Sequence, residues 1–215
     1  MTQTLTLCRT DNGLLALPAM QRQVETWLEY RVGRGRVKSE DLGRAGRRAM
    51  DSGRRACDGV VRKYGTRVPI ELARRLEVAV LRESANGTHG PLAVIAEYRA
   101  APPAIVLHEP VLSACGRAVR QAGELPQTAA DRFEDICVAH ELFHHLERTG
   151  RYGCSLATGQ VPRKLRVSAR EAAAHAFAAF LLHLDFMPCI LEDYAAPALY
   201  QANDVADTKG LFAIN

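Results

Sequence analysis

Residues 138–147 contain the pentad His140-Glu141-Leu-Phe-His144. Side chains four residues apart on a helix lie one turn apart on the same face, so His140 and His144 can direct two imidazoles at one ion. Glu141 lies about 100° around the same helix, where its carboxylate can reach a metal-bound water rather than the metal, as a general base must. The pentad therefore indicates hydrolytic metal chemistry, provided that a helix presents it. No Gly or Pro interrupts residues 131–148, which favours that helix.

A third ligand is needed, because catalytic zinc sites use three protein ligands and leave a fourth position for water. The best candidate is Glu171, which follows His144 by 27 residues and stands in a helical run that is otherwise almost wholly apolar to Leu182. A buried carboxylate is costly unless it is paired or bound to a metal. The alternative is a surface carboxylate near a helix start, where the macrodipole stabilises it.

The paired segments His140-Glu-x-x-His144 and Glu171-x-x-Ala-x-x-Phe-Ala resemble the zincin-like metallopeptidases of the ImmA/IrrE family. The resemblance covers about residues 40–190. It implies an α+β, zincin-like domain in which a small sheet packs against helices, with the pentad on one helix and a glutamate on a following helix. It also implies that His140, His144 and Glu171 bind Zn²⁺ and that Glu141 is the general base.

The activity implied by the resemblance is zinc-dependent hydrolysis of peptide bonds in a protein or peptide substrate, such as a transcriptional repressor cut at one site. The sequence departs from the family at His175, where many members have Asn, and at residues 181–188, where the usual Leu-Leu-Met-Pro is stretched. Neither departure removes a ligand. Two other hypotheses remain open: a zinc hydrolase for a smaller substrate, and a non-catalytic regulatory protein that retains a structural zinc site.

Four further side chains are candidates for supporting roles. His175, one turn after Glu171, can hydrogen-bond a ligand. His145 is expected at the rim of the site rather than on the metal. Tyr98 and Tyr152 can each offer a hydroxyl to a tetrahedral oxyanion, and the sequence does not choose between them.

The composition of the 215-residue chain, 47% hydrophobic and 24% charged, is typical of a globular protein. Its apolar runs fall short of the 18 or so residues that cross a membrane, and its first residues lack a signal-peptide pattern. The six cysteines form no CxxC pair. These features together predict a cytoplasmic protein with reduced thiols and no membrane partner.

The net charge of +4 conceals an asymmetry, since the first 90 residues carry 17 Lys and Arg against 10 Asp and Glu. A basic front half is what the non-catalytic hypothesis would use to contact DNA or an acidic partner. No aromatic residues are interleaved with the arginines as stacking platforms, so a solvated helix surface is favoured over a nucleic-acid site.

The elements that must position the site follow from periodicity and turn signals. Helices are predicted at residues 18–32, 39–64, 68–75, 111–121 and 131–148, with another that Ser168 caps and that reaches about Leu184. Strands are predicted near residues 78–81, 92–99 and 104–108, the last two as a hairpin. We divide the chain into an N-terminal extension with one amphipathic helix (1–38), the zincin-like metallopeptidase domain (39–190) and a C-terminal tail (191–215).

Overall fold

A computed structural model of the chain describes residues 16–84, 87–89, 92–123, 127–153 and 161–199. The helices are α1 (Ala16–Val32), α2 (Ser39–Tyr64), α3 (Pro69–Arg75), α4 (Glu109–Gln121), α5 (Gln127–Asp131), α6 (Phe133–Arg148), α7 (Arg166–Leu182) and α8 (residues 191–199). The strands are β1 (Ala79–Glu83), β2 (Gly87–His89), β3 (Leu92–Val94), β4 (Ala96–Ala100) and β5 (Pro103–His108). Many helices with a small sheet confirm the predicted α+β class.

The main sheet has the strand order β1-β5-β4, with β1 parallel and β4 antiparallel to the central strand β5. Residues 104–108 of β5 are all buried, as expected of a strand covered on both faces. The predicted hairpin is present as β4 and β5. The predicted strand over 92–99 is wrong in one respect, because Ile95 interrupts it and residues 92–94 pair with β2 instead.

Helices α2 and α7 pack against each other almost backbone to backbone. The contact is at Gly53 of α2, where a Cβ atom would lie 2.5 Å from the amide nitrogen of Phe177 and 2.7 Å from the carbonyl oxygen of Ala173. Alanines along α7 keep this approach possible and are buried. On another face α7 packs on α6, where the rings of Phe143 and Phe177 lie 6.0 Å apart. Helix α7 is therefore held between α2 and α6.

The terminal helices of the described chain belong to the same apolar core as α2, α6 and α7. Helix α1 contributes the buried side chains Met20, Val24 and Leu28, and α8 contributes Leu191 and Ala195. Residues 16–38 and 191–199, which the sequence analysis separates from residues 39–190, thus contribute to the same core as those residues. None of the helices in the described ranges has the length and apolar character needed to cross a membrane.

The predicted N-cap of α7 is wrong. The helix begins at Arg166, directly after a turn of 3₁₀ helix at Arg163–Leu165, so Ser168 lies inside its first turn. Glu171 is therefore the sixth residue of α7, beyond the first turn in which the macrodipole stabilises a carboxylate. The helix ends at Leu182, because His183 adopts a left-handed conformation with φ of 53°.

Candidate metal centre

Helices α6 and α7 bring His140, His144 and Glu171 together. The Nε2 atom of His140 lies 3.2 Å from Nε2 of His144 and 3.2 Å from Oε2 of Glu171. The third side of the triangle, from His144 Nε2 to Glu171 Oε2, measures 3.5 Å. One donor atom from each residue lies within 4.8 Å of the others, so the cluster could hold a metal ion. The pentad thus occupies a helix, as predicted.

The cluster is partly open to an adjacent cleft. The side chains of His140 and His144 are 15% and 17% exposed, whereas that of Glu171 is 33% exposed. The cleft has a volume of about 600 Å³ and is bounded by β3 and β4 on one side and by α6 and α7 on the other. Its lining residues are Val94, Ala96, Glu97, Tyr98, Ala100, Glu141, His144, Glu147, Arg148, Arg170 and Glu171.

The two histidines have opposite electrostatic environments. Burial and the neighbouring His175 lower the pKa of His140 to about 4. Burial alone would also lower the pKa of His144, but the carboxylates of Glu147 and Glu171 beside it raise that pKa to about 10. Burial would raise the pKa of Glu171, but its hydrogen bonds with both histidines hold it well below its usual range. In the metal-free cluster the imidazolium form is therefore favoured at His144 and disfavoured at His140.

We expect a divalent ion that binds this cluster to release about one proton near pH 7–9, because metal ligation requires a neutral imidazole. His144, with a pKa of about 10, must lose its proton, whereas His140, with a pKa of about 4, is already neutral. Apparent affinity should therefore rise by up to about tenfold per pH unit in this range. Calorimetric titration in buffers of different ionisation enthalpy measures the proton count. An affinity that does not change with pH would contradict this assignment.

Glu141 lies in the same cleft but outside the three-residue cluster. Burial raises the pKa of Glu141 to about 7. The charge of His144 and a hydrogen bond from the backbone of Tyr98 act in the opposite direction but are outweighed. A carboxyl group with a pKa near the working pH can both accept and return a proton. Its placement beside the cluster, rather than in it, suits that role.

The four other candidates from the sequence differ in whether they line the cleft, contact the cluster or lie away from both. Tyr98 is part of the cleft wall, and its hydroxyl lies 3.0 Å from Nδ1 of His145. His145 itself is 4% exposed and so does not lie at the rim. Tyr152 packs against Gly59 of α2 and is not among the residues that line the cleft. His175 contacts His140 ring to ring, with centroids 4.5 Å apart.

Sequence reasoning missed an ion pair beside the site. The Nε–H of Arg170 is shared between both carboxylate oxygens of Glu147 at 2.9 Å, and Nη2 donates a second hydrogen bond to Oε2 at 2.8 Å. Glu147 in turn lies 3.9 Å from Nδ1 of His144. The spacing of Glu147 three residues after His144 indicates from the sequence either a solvated carboxylate or one that supports this ligand candidate, since residues i and i+3 are neighbours on a helix. The partner Arg170 could not be identified before α7 was placed.

The site therefore brings two imidazole nitrogens and one carboxylate oxygen together beside an open cleft, which His144 and Glu171 line. A second carboxylate, that of Glu141, stands beside them. The chain matches no protein-family model, no curated protein and no solved structure, so its function has to be inferred from the site itself.

Proposed function

We propose that this chain is a zinc-dependent metallopeptidase of the zincin-like, ImmA/IrrE type. The observation that carries the proposal is the convergence of His140, His144 and Glu171 at a cleft that also contains Glu141. The sequence resemblance concerns these same four residues. The substrate it implies is a protein or peptide, with a transcriptional repressor as one example.

The donor set fits zinc. Two imidazoles with one glutamate form a known ligand set of catalytic zinc sites, whereas magnesium and calcium favour oxygen ligands throughout. The cleft leaves the exposed side of Glu171 and His144 accessible, as a site that admits substrate requires. Bound zinc would supply Lewis acidity toward a water molecule and toward the substrate carbonyl oxygen.

The residues of the chain would then perform the proton transfers. Glu141 accepts the proton of the attacking water and passes it to the leaving amine, and a pKa near 7 suits both steps. Glu147, held by Arg170, faces Nδ1 of His144 and so orients the imidazole whose Nε2 is directed at the cluster. Such partners of ligand histidines fix the tautomer and the ring orientation.

Strand β4 supports a peptide as the substrate. Within the described sheet it pairs with β5 along one side and forms a wall of the cleft along the other. An extended peptide can add to such an edge through main-chain hydrogen bonds. The small side chains of Ala96 and Ala100 leave room for it beside Glu141.

Metal content tests the proposal first. We expect about one zinc ion per chain in the wild type and a loss of zinc in Glu171→Ala, because two imidazoles alone bind zinc weakly. The matched control is Glu40→Ala, which removes a carboxylate that is 79% exposed on α2. Elemental analysis of protein purified without a metal-affinity tag gives the stoichiometry. A wild type that takes up no zinc, even after the ion is added back, would overturn the proposal.

A further inference from the structure

We propose that Glu192 and Trp27 position His175 against His140, so that α8 and α1 form an outer layer of the metal centre. The inference rests on the proposed zinc site. It concerns residues 16–32 and 191–199, which lie outside the part of the chain that carries the family resemblance. Glu192, Trp27 and His175 act here as positioning residues, since none of them belongs to the ligand cluster.

His175 is the central residue of this layer. It follows Glu171 by one turn of α7, and its side chain is 10% exposed. Its ring contacts that of His140, with centroids 4.5 Å apart and planes inclined by 60°. It also meets the indole of Trp27 edge to face, with centroids 5.6 Å apart and planes inclined by 83°. His175 thus connects a metal-ligand candidate on α6 with a side chain on α1.

The carboxylate of Glu192 holds both rings from α8. Its Oε2 accepts a hydrogen bond from Nε1 of Trp27 at 3.0 Å, because an indole nitrogen can only donate. Its Oε1 lies 3.3 Å from Nε2 of His175. These hydrogen bonds hold the pKa of Glu192 below its usual range, although its side chain is only 43% exposed and this partial burial acts in the opposite direction. The ionised Oε1 therefore accepts the Nε2 proton of His175.

Among the described residues, the hydrogen bond to Glu192 is the polar contact that fixes the orientation of the His175 ring. The other ring nitrogen, Nδ1, is buried and has no hydrogen-bond partner among them. Without Glu192 the ring can turn about its Cβ–Cγ bond, and its contact with His140 changes. His140 must keep its Nε2 directed at Glu171 and His144 for the three donors to converge. Groups that orient ligand histidines in this way typically affect metal affinity by about 10–100-fold.

The test compares zinc affinity, measured by chelator competition, with the visible absorption spectrum of the Co²⁺-substituted protein. Glu192→Ala is expected to weaken zinc binding by about 10-fold or more and to shift the Co²⁺ bands, which report ligand geometry. Asp193→Ala is the matched control, because Asp193 is the exposed carboxylate next to Glu192 on the same helix. It should leave affinity and spectrum unchanged. Trp27→Phe keeps a ring but removes the donor and should cause a smaller loss.

A double-mutant cycle separates positioning from general damage to the fold. His175→Phe retains an aromatic ring but cannot hydrogen-bond to Glu192. If Glu192 acts through His175, Glu192→Ala should cause no further loss of zinc affinity in the His175→Phe background. Additive losses would overturn the inference.

Two outcomes distinguish this inference from the function on which it rests. A folded Glu192→Ala protein with wild-type zinc affinity and Co²⁺ spectrum overturns the inference alone; if that variant does not fold, Glu192→Leu, which keeps a side chain of similar bulk but accepts no hydrogen bond, is judged by the same criterion. Melting temperatures of the metal-free proteins establish which variants fold. A wild type that binds no zinc overturns both proposals. A wild type that binds zinc but cleaves no peptide overturns the peptidase activity and leaves the positioning role standing.

Discussion

Glu141→Gln is expected to retain zinc and to lose peptide hydrolysis by about 10²–10⁴-fold. Glutamine has nearly the shape of glutamate but cannot take a proton from the attacking water. Zinc should remain, because Glu141 lies outside the cluster of His140, His144 and Glu171. Cleavage of a proteome-derived peptide library, followed by mass spectrometry, and the zinc content of the same preparation measure the two properties together.

The matched control for this prediction is Glu97→Gln, which makes the same change of charge elsewhere in the cleft wall. It should alter the rate far less than Glu141→Gln, since Glu97 is not required to move a proton. Full activity in Glu141→Gln would eliminate Glu141 as the general base. Loss of zinc from Glu141→Gln would instead indicate that Glu141 is a metal ligand. A wild type that binds zinc but cleaves no peptide would favour the hypothesis of a non-catalytic regulatory protein with a structural zinc site.

The largest expected effect on stability comes from Gly53→Ala, which should lower the free energy of unfolding by about 1–3 kcal/mol or more. A Cβ at this position would lie 2.5 Å from the Phe177 nitrogen and 2.7 Å from both the Ala173 oxygen and the Ala176 Cβ. Main-chain atoms and a Cβ cannot rotate away, so the two helices must separate. Helix α7 carries Glu171, and zinc binding should weaken as well. Urea unfolding of the metal-free protein measures the stability change.

Gly43→Ala is the control, because it makes the same substitution in the same helix. A Cβ there would meet only Arg47 Nη1 at 3.4 Å and the carboxyl group of Glu25 at 3.5–3.9 Å, which are ends of flexible side chains. We expect Gly43→Ala to raise the free energy of unfolding by up to about 1 kcal/mol, because alanine has a better helix propensity than glycine. Equal stability changes in the two variants would contradict the close approach of α2 and α7.

The sequence predicts best what depends on neighbouring residues. His140 and His144 converge because i and i+4 lie on one helical face, and that relation needs no tertiary information. The end of α2 is also local, since Gly65 adopts a left-handed φ of 68° and its amide donates to the carbonyl of Val61. Glu171 could be identified as a charged residue in an apolar helix.

Contacts between distant parts of the chain escape this reasoning. The hydrogen bond from Trp27 to Glu192 joins residues 165 positions apart, and no pattern in the sequence of either helix predicts it. The choice between Tyr98 and Tyr152 depends on where β4 lies relative to α6. Ser168 has the right residue type for an N-cap, yet the preceding 3₁₀ turn starts the helix earlier. In each case tertiary packing decides between locally reasonable options.

Trp27 is the single tryptophan of the chain, and it touches the histidine that contacts His140. All indole fluorescence of the purified protein therefore originates beside the candidate metal centre. Indole emission depends on nearby carboxylates, imidazoles and hydrogen bonding, which are the groups that surround this ring. The intrinsic fluorescence of Trp27 therefore provides a label-free measurement with which binding of a metal ion to the cluster of His140, His144 and Glu171 can be tested in real time.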